Sequence, residues 1–182
     1  MNFLPSQHGF KFSNNDIPPI PIKFGGVALP FKASGGLCGG MTWTVLDYWI
    51  AKKKVPETME LDYLWKRQVD SLQNGLGILA YYWHQVGWSD KPLYQEARKL
   101  ARLLRNRPIT LGIIYQHSIN PIHLVEAHQV LAYACEDKSF KVYDPNRPGD
   151  DNCYLSPYED TWWLDDNQVA EFFITAYIQY EL

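Results

Sequence analysis

The chain has 182 residues, 46% of them hydrophobic and 20% charged, a balance that suits one globular domain with a sizeable core and argues against extended disorder. Its net charge of -3 excludes a global attraction to nucleic acid or to an anionic membrane surface. No apolar run approaches the roughly 18 residues a membrane span needs, and MNFLPSQHGFKFSNND has no secretory pattern, so a soluble cytoplasmic protein is expected.

Residues 1–37 hold many of the prolines and glycines, in NNDIPPIPIKFGGVALPFKASGG, which predicts an extended arm laid over the domain and able to act as a lid. The stretch GGLCGGMTWTVLDYW then opens a helix predicted over 38–53. Gly35 and Gly36 permit a sharp turn into it, and Met41, Val45, Tyr48 and Trp49 form an amphipathic face. Lys52, Lys53 and Lys54 put cations at its negative end. Further helices are expected over 61–73 and 92–105, the latter with Tyr94, Ala97, Leu100, Ala101 and Leu104 at helical spacing; Gly87 and a turn at Asp90 separate the two. From Ile109 the pattern changes to short β-branched and aromatic runs, ITLGIIY, HQVLAYAC, SFKVYD and EFFITAYIQY. Helices first and an antiparallel sheet afterwards predict an α+β fold.

Cys38 falls in the first turn of its helix, where unpaired N–H groups and the positive dipole end favour thiolate, and Gly39 and Gly40 are expected to leave the sulfur approachable. The competing reading is a small buried hydrophobe, as most cysteines are. A thiolate catalyst needs a base and a group to orient it. In HQVLAYACEDKSFKVYDPN, His128, Val130, Ala132 and Ala134 share one strand face, and Phe140, Val142, Asp144 and Asn146 share another. An odd-length turn around Asp137, Lys138 and Ser139 pairs Ala132 with Asp144 and brings His128 onto the acid's side; a two-residue turn points the acid away.

The order GLCGGM opening a helix, then HQVLAY, then VYDPNRPG closing a strand resembles the papain-like cysteine peptidases, particularly bacterial C39-like domains, and a group of bacterial proteins that combine GLCGGM, RQ-DSL and HQVLAY-YDPN-PG. The resemblance rests on about a third of the chain. It implies a papain-like arrangement of helices packed on an antiparallel sheet. Cys38 is then the nucleophile, His128 the base and later the acid, and Asp144 the orienting group, with Asn146 in reserve and no cofactor. It also implies a peptide or other amide substrate and a glutamine a few residues before the cysteine to complete the oxyanion hole. LPFKASGGL offers only Lys32 and Ser34 there; Asn14, Asn15 and Gln129 are the alternative donors.

Other polar features have plainer readings. His117, His123, Glu126 and His128 lack a helical metal spacing, and HSINPIHLVEAH is read as a loop ending in the base, with no metal. DPNRPGDDN departs from a calcium loop and is read as a turn. Lys66, Arg67 and Asp70 of WKRQVDSLQ are expected on a solvated helix face, with only the resemblance drawing notice to Arg67 and Gln68. Arg98, Lys99, Arg102 and Arg105 form another such face. Tyr81, Tyr82, Trp83 and Trp88, or Trp162 and Trp163, fit either a core or a cleft. Cys135 and Cys153 do not share the logic of Cys38, and the sparse, odd set of three cysteines fits reduced thiols. Three functions stay open: a cysteine hydrolase working through a thioester, an acyltransferase on the same scaffold, and a catalytically silent binding module.

Overall fold

Proline at the start of a helix costs no hydrogen bond, and the chain uses this at once: Pro5–His8 forms a one-turn helix, α1. The computed structural model describes residues 2–18, 20–24, 27–33, 36–73, 77–88 and 92–182. The turns expected at Gly35 and Asp90, and Ser34 before the cysteine, lie outside them. The arm expected to be extended also holds a 3-10 turn, Asn14–Asp16, closed by a reciprocal capping box between Ser13 and Asp16. Beyond it, Ile20–Phe24 (β1) and Val27–Ala33 (β2) pair as an antiparallel hairpin. Phe3, Phe10 and Ile17 anchor the arm in the core beside Met41, Val45 and Leu131.

Four longer helices follow: α2, Cys38–Ile50; α3, Leu61–Gln73; α4, Gly77–Gln85; and α5, Leu93–Leu103. Helix α2 is buried on every side over residues 38–47 rather than amphipathic, and Lys53 beyond its end donates to the Leu182 carbonyl. Helix α4 is the unexpected one. Its sequence, GILAYYWHQ, is apolar round most of its circumference, so no 3.6-residue contrast marks it.

The second half forms β3 (Ile109–Ile114), β4 (His128–Glu136), β5 (Ser139–Tyr143), β6 (Tyr154–Tyr158), β7 (Thr161–Leu164), β8 (Asn167–Val169) and β9 (Glu171–Ile174), paired antiparallel in the order β8-β7-β6-β5-β4-β3-β9. Of the run EFFITAYIQY, only the first four residues are strand. Strands β6 to β8 were not expected: they are three to five residues long, and Pro157 interrupts the first. The sheet is curled. Its two edge strands, β8 and β9, are joined by Ala170 alone, and Trp162 on β7 meets Phe172 on β9 with ring centroids 4.9 Å apart.

The curl encloses a core of Val130, Ala132, Phe140, Val142, Leu155, Trp162 and Phe172, which Leu100 of α5 caps. On the other face Leu131 and Tyr143 pack with α2. Trp162 is therefore core, and Tyr81 is buried on Phe173, while Trp83 and Trp88 form an exposed edge-to-face pair.

The β4–β5 turn corrects the expected register. It has two residues, Asp137 and Lys138, both at positive φ, as a type I′ turn requires. An irregularity at Tyr133 then adds one residue to β4, so the register changes from Ala134↔Lys141 to Ala132↔Val142. The bulge restores the parity that the turn removes. Asp144 thus lies on the His128 side, with Val142, not Asp144, opposite Ala132.

Candidate active site

Cys38 is the first residue of α2, and Leu37 at the N-cap has no side chain able to cap the turn. Other segments cap it instead. The Leu37 N–H donates to Asn14 Oδ1 at 3.0 Å, and the Gly40 N–H donates to Gln68 Oε1 at 2.9 Å. The glycines have a packing role rather than the expected one of exposing sulfur. A Cβ on Gly39 would run into Gln129 Oε1 and Ser71 Oγ, and one on Gly40 into the Leu64 carbonyl, so only glycine lets α2 lie this close to α3 and β4. Thr42 Oγ1 adds a hydrogen bond to the Gln129 carbonyl at 3.2 Å. Cys38 is left 8% exposed.

His128 opens β4, just after a 3-10 turn at Pro121–Glu126, so it begins a strand rather than ending a loop. Its Nε2 lies 2.7 Å from Asp144 Oδ1, and Cys38 is near enough to the same imidazole to raise its pKa. Burial pulls the His128 pKa down, but the Asp144 charge and hydrogen bond, with Cys38, outweigh it and raise it to about 10. For Asp144, burial raises the pKa, and His128, the Asn146 N–H and Arg147 together lower it below its ordinary value. The three side chains are gathered at one place, with the imidazole hydrogen-bonded to the carboxylate and the thiol near the imidazole.

The reserve residues divide. Asn146 donates its N–H to Asp144 Oδ1 at 2.8 Å, and its side-chain nitrogen stands 3.5 Å from His128 Nε2; it supports the acid and does not replace it. Asn14 is buried and donates to Asn146 Oδ1 at 3.1 Å, tying the arm to the Asp144 loop and, through Leu37, to the cysteine turn. Gln129 gives its Nε2 to Thr175 Oγ1 at 3.1 Å. Asn15 is exposed, with its backbone N–H on Ser13 Oγ, and takes no part in the site. His117 contacts the Gln85 carbonyl and His123 pairs with Glu126, so neither joins His128. Among the described residues no cluster of histidine, cysteine and carboxylate side chains fits a metal ion.

Two tyrosines are further neighbours: Tyr81, which the sequence left between core and cleft, and Tyr115, which it did not single out. Tyr81 of α4 is buried near Cys38, and Tyr115, just past β3, lies within electrostatic reach of Asp144 and Cys38. Burial first, and then these charges, push both phenols up. Tyr115 ends the apolar run ITLGIIY, where an aromatic ring reads as core.

The solvated face expected for Arg67 is also corrected. Arg67 is 2% exposed, its Nε 2.9 Å from Asp47 Oδ2 of α2, with further bonds to Asp70 and to the Ile178 carbonyl. Tyr177 and the Tyr180 N–H donate to Asp47 as well, so this buried pair fastens the C-terminal segment to α2. Cys153 is buried and donates to Asp165 at 3.0 Å, and Cys135 is exposed. All three cysteines are free.

No helix among the described residues is long and apolar enough to cross a membrane. No protein-family model matches the chain, and no curated protein or solved structure matches it either.

Proposed function

We propose that the protein is a papain-like cysteine hydrolase of the cytoplasm that cleaves a peptide or other amide bond through a thioester on Cys38. The observation that carries this reading is the buried His128–Asp144 hydrogen bond beside Cys38, a thiol at a helix N-terminus near an imidazole held by a carboxylate. The helix-on-sheet arrangement, with the nucleophile on α2 and its base on β4, supports it. So do the unpaired cysteines, which suit a reducing compartment.

In this mechanism His128 holds the proton taken from the Cys38 thiol. The thiolate attacks the carbonyl carbon, the C–S bond forms, and the C=O π pair moves to oxygen as an oxyanion beside the N–H groups of the first turn of α2. Collapse re-forms C=O and breaks the C–N bond, and the leaving amine takes the His128 proton. A water then gives a proton to His128 and attacks the thioester, releasing the acid and restoring thiolate and imidazolium. Asp144 keeps the imidazole oriented and its cation stable throughout.

The test is the pH dependence of Cys38 alkylation by iodoacetamide, followed residue by residue by mass spectrometry, with His128→Ala and Asp144→Ala alongside. Rapid modification near neutral pH that falls sharply in His128→Ala is expected. A Cys38 that reacts as slowly as Cys135 and Cys153, unchanged by either substitution, overturns the hydrolase.

A further inference from the structure

The oxyanion hole lacks the side-chain donor that sequence order places just before the nucleophile, and the three amides first considered in its place are otherwise disposed. Gln129 Nε2 has Thr175 Oγ1 as acceptor, Asn14 Nδ2 has Asn146 Oδ1, and Asn15 is exposed. Asn146 stands against the His128 Nε2 that Asp144 holds, with its backbone N–H on that carboxylate. The amide that does border the cysteine turn comes from another helix. Gln68 of α3 is 8% exposed and accepts the Gly40 N–H at 2.9 Å. Because Gly40 donates, the atom it meets is the amide oxygen, and the orientation of the group is fixed. Its Oε1 also stands 3.0 Å from where a Cβ on Gly39 would be, so the amide lies alongside the Cys38–Gly39–Gly40 turn. Among the described residues nothing accepts from its Nε2. Ser71 Oγ, bonded to the Gln68 carbonyl at 2.7 Å, steadies this turn of α3.

We infer that Gln68 supplies the missing donor: its carbonyl end caps the nucleophile helix, and its NH2 end stabilises the oxyanion that forms when Cys38 attacks a carbonyl. This rests on the hydrolase reading above. The single side chain has two separable duties. Capping Gly40 positions the turn, and donating to the developing charge acts only when a tetrahedral centre forms. Leu64 and Gln68 occupy successive turns of one face of α3, and the absence of side chains at Gly39 and Gly40 lets that face reach the turn.

Two reactions of the same sulfur separate the duties. Alkylation by iodoacetamide displaces iodide at a saturated carbon and forms no oxyanion; acetylation by p-nitrophenyl acetate passes through one. Both are followed at Cys38 by mass spectrometry in the full chain, in Gln68→Met and in Gln68→Glu, the latter keeping an acceptor for Gly40 but no amide donor. Acetylation slowed about 100-fold in both variants, with alkylation within about twofold of the parent in Gln68→Glu, which keeps the cap, and slower in Gln68→Met, which loses it, is the expected result. Acetylation within about threefold of the parent overturns the donor role, and so does a parallel loss of both reactions in Gln68→Glu, which would mark Gln68 as structural only. If Cys38 of the parent is itself no faster than Cys135 and indifferent to His128→Ala, the hydrolase reading fails first and the donor role falls with it.

Discussion

His128 Nε2 and Asp144 Oδ1 stand 2.7 Å apart with both side chains almost wholly shut off from water, so neither can change charge without the other registering it. His128 is raised from 6.5 to about 10, and its contribution to stability is therefore complete below about pH 6.5 and lost as the pH climbs toward 10. Asp144 is lowered, so its contribution is present above its ordinary 3.8 and lost as the pH falls through the folded value. The urea midpoint is expected to decline from about pH 6.5 upward in the parent and to flatten in His128→Gln. Equal slopes in the two proteins would show that the pair does not govern the alkaline limb.

Asn14 joins three segments with one amide. Asn14→Ala deprives the buried Leu37 N–H of its acceptor, and a loss of about 1–3 kcal/mol in urea unfolding is expected. Slower alkylation of Cys38 should accompany it, because the turn that carries the thiol loses a fixed point. A change below about 0.5 kcal/mol would mean that the arm is held by Phe3, Phe10 and Ile17 alone.

The Asp47–Arg67 pair offers a contrast within one network. Asp47→Asn leaves the Arg67 guanidinium buried against a neutral partner, and a loss of about 3–5 kcal/mol is expected. Asp70, 30% exposed on the other side of Arg67, should cost less than about 1 kcal/mol when changed to Asn. Similar losses for both would place the strength of the network outside the Asp47 contact.

The three thiols are expected to react in an order that exposure does not predict. Cys135 is exposed, yet burial and the neighbouring Asp137 and Glu136 raise its pKa; Cys153 is raised further by burial and by its hydrogen bond to Asp165. Near neutral pH, Cys38 should be labelled first, Cys135 next and Cys153 last. Labelling of Cys135 before Cys38 would mean that access, not activation, sets the rate.

The positions of Cys38, His128 and Asp144 were legible because each stands where a short-range pattern breaks: a glycine-flanked helix start, a strand start, and an aspartate before proline. The α+β order of elements was legible for the same reason. The bulge at Tyr133 was not, because Val130, Leu131 and Ala132 are all buried and the alternation that would mark an added residue is absent. Nor were Gln68 and Arg67. Their partners, Gly40, Asp47 and the Ile178 carbonyl, lie on other elements, and on α3 alone a polar residue reads as facing water. Helix α4 was hidden by an excess of apolar residues, and β6 to β8 by brevity.

The single residue between the two sheet edges has a bearing on biosynthesis. Strand β3 is made early and pairs with β4 soon after, but its other side pairs with β9, which leaves the ribosome after every other strand. Until then β3 presents an open edge to any neighbouring chain. Thr175, the acceptor for Gln129, follows β9 directly, and Tyr177 and Tyr180, which fasten Asp47, come later still. A nascent chain therefore carries Cys38, His128 and Asp144 for some time before the segments that support them exist, and the surroundings of the three are complete only once residues 171–180 have emerged.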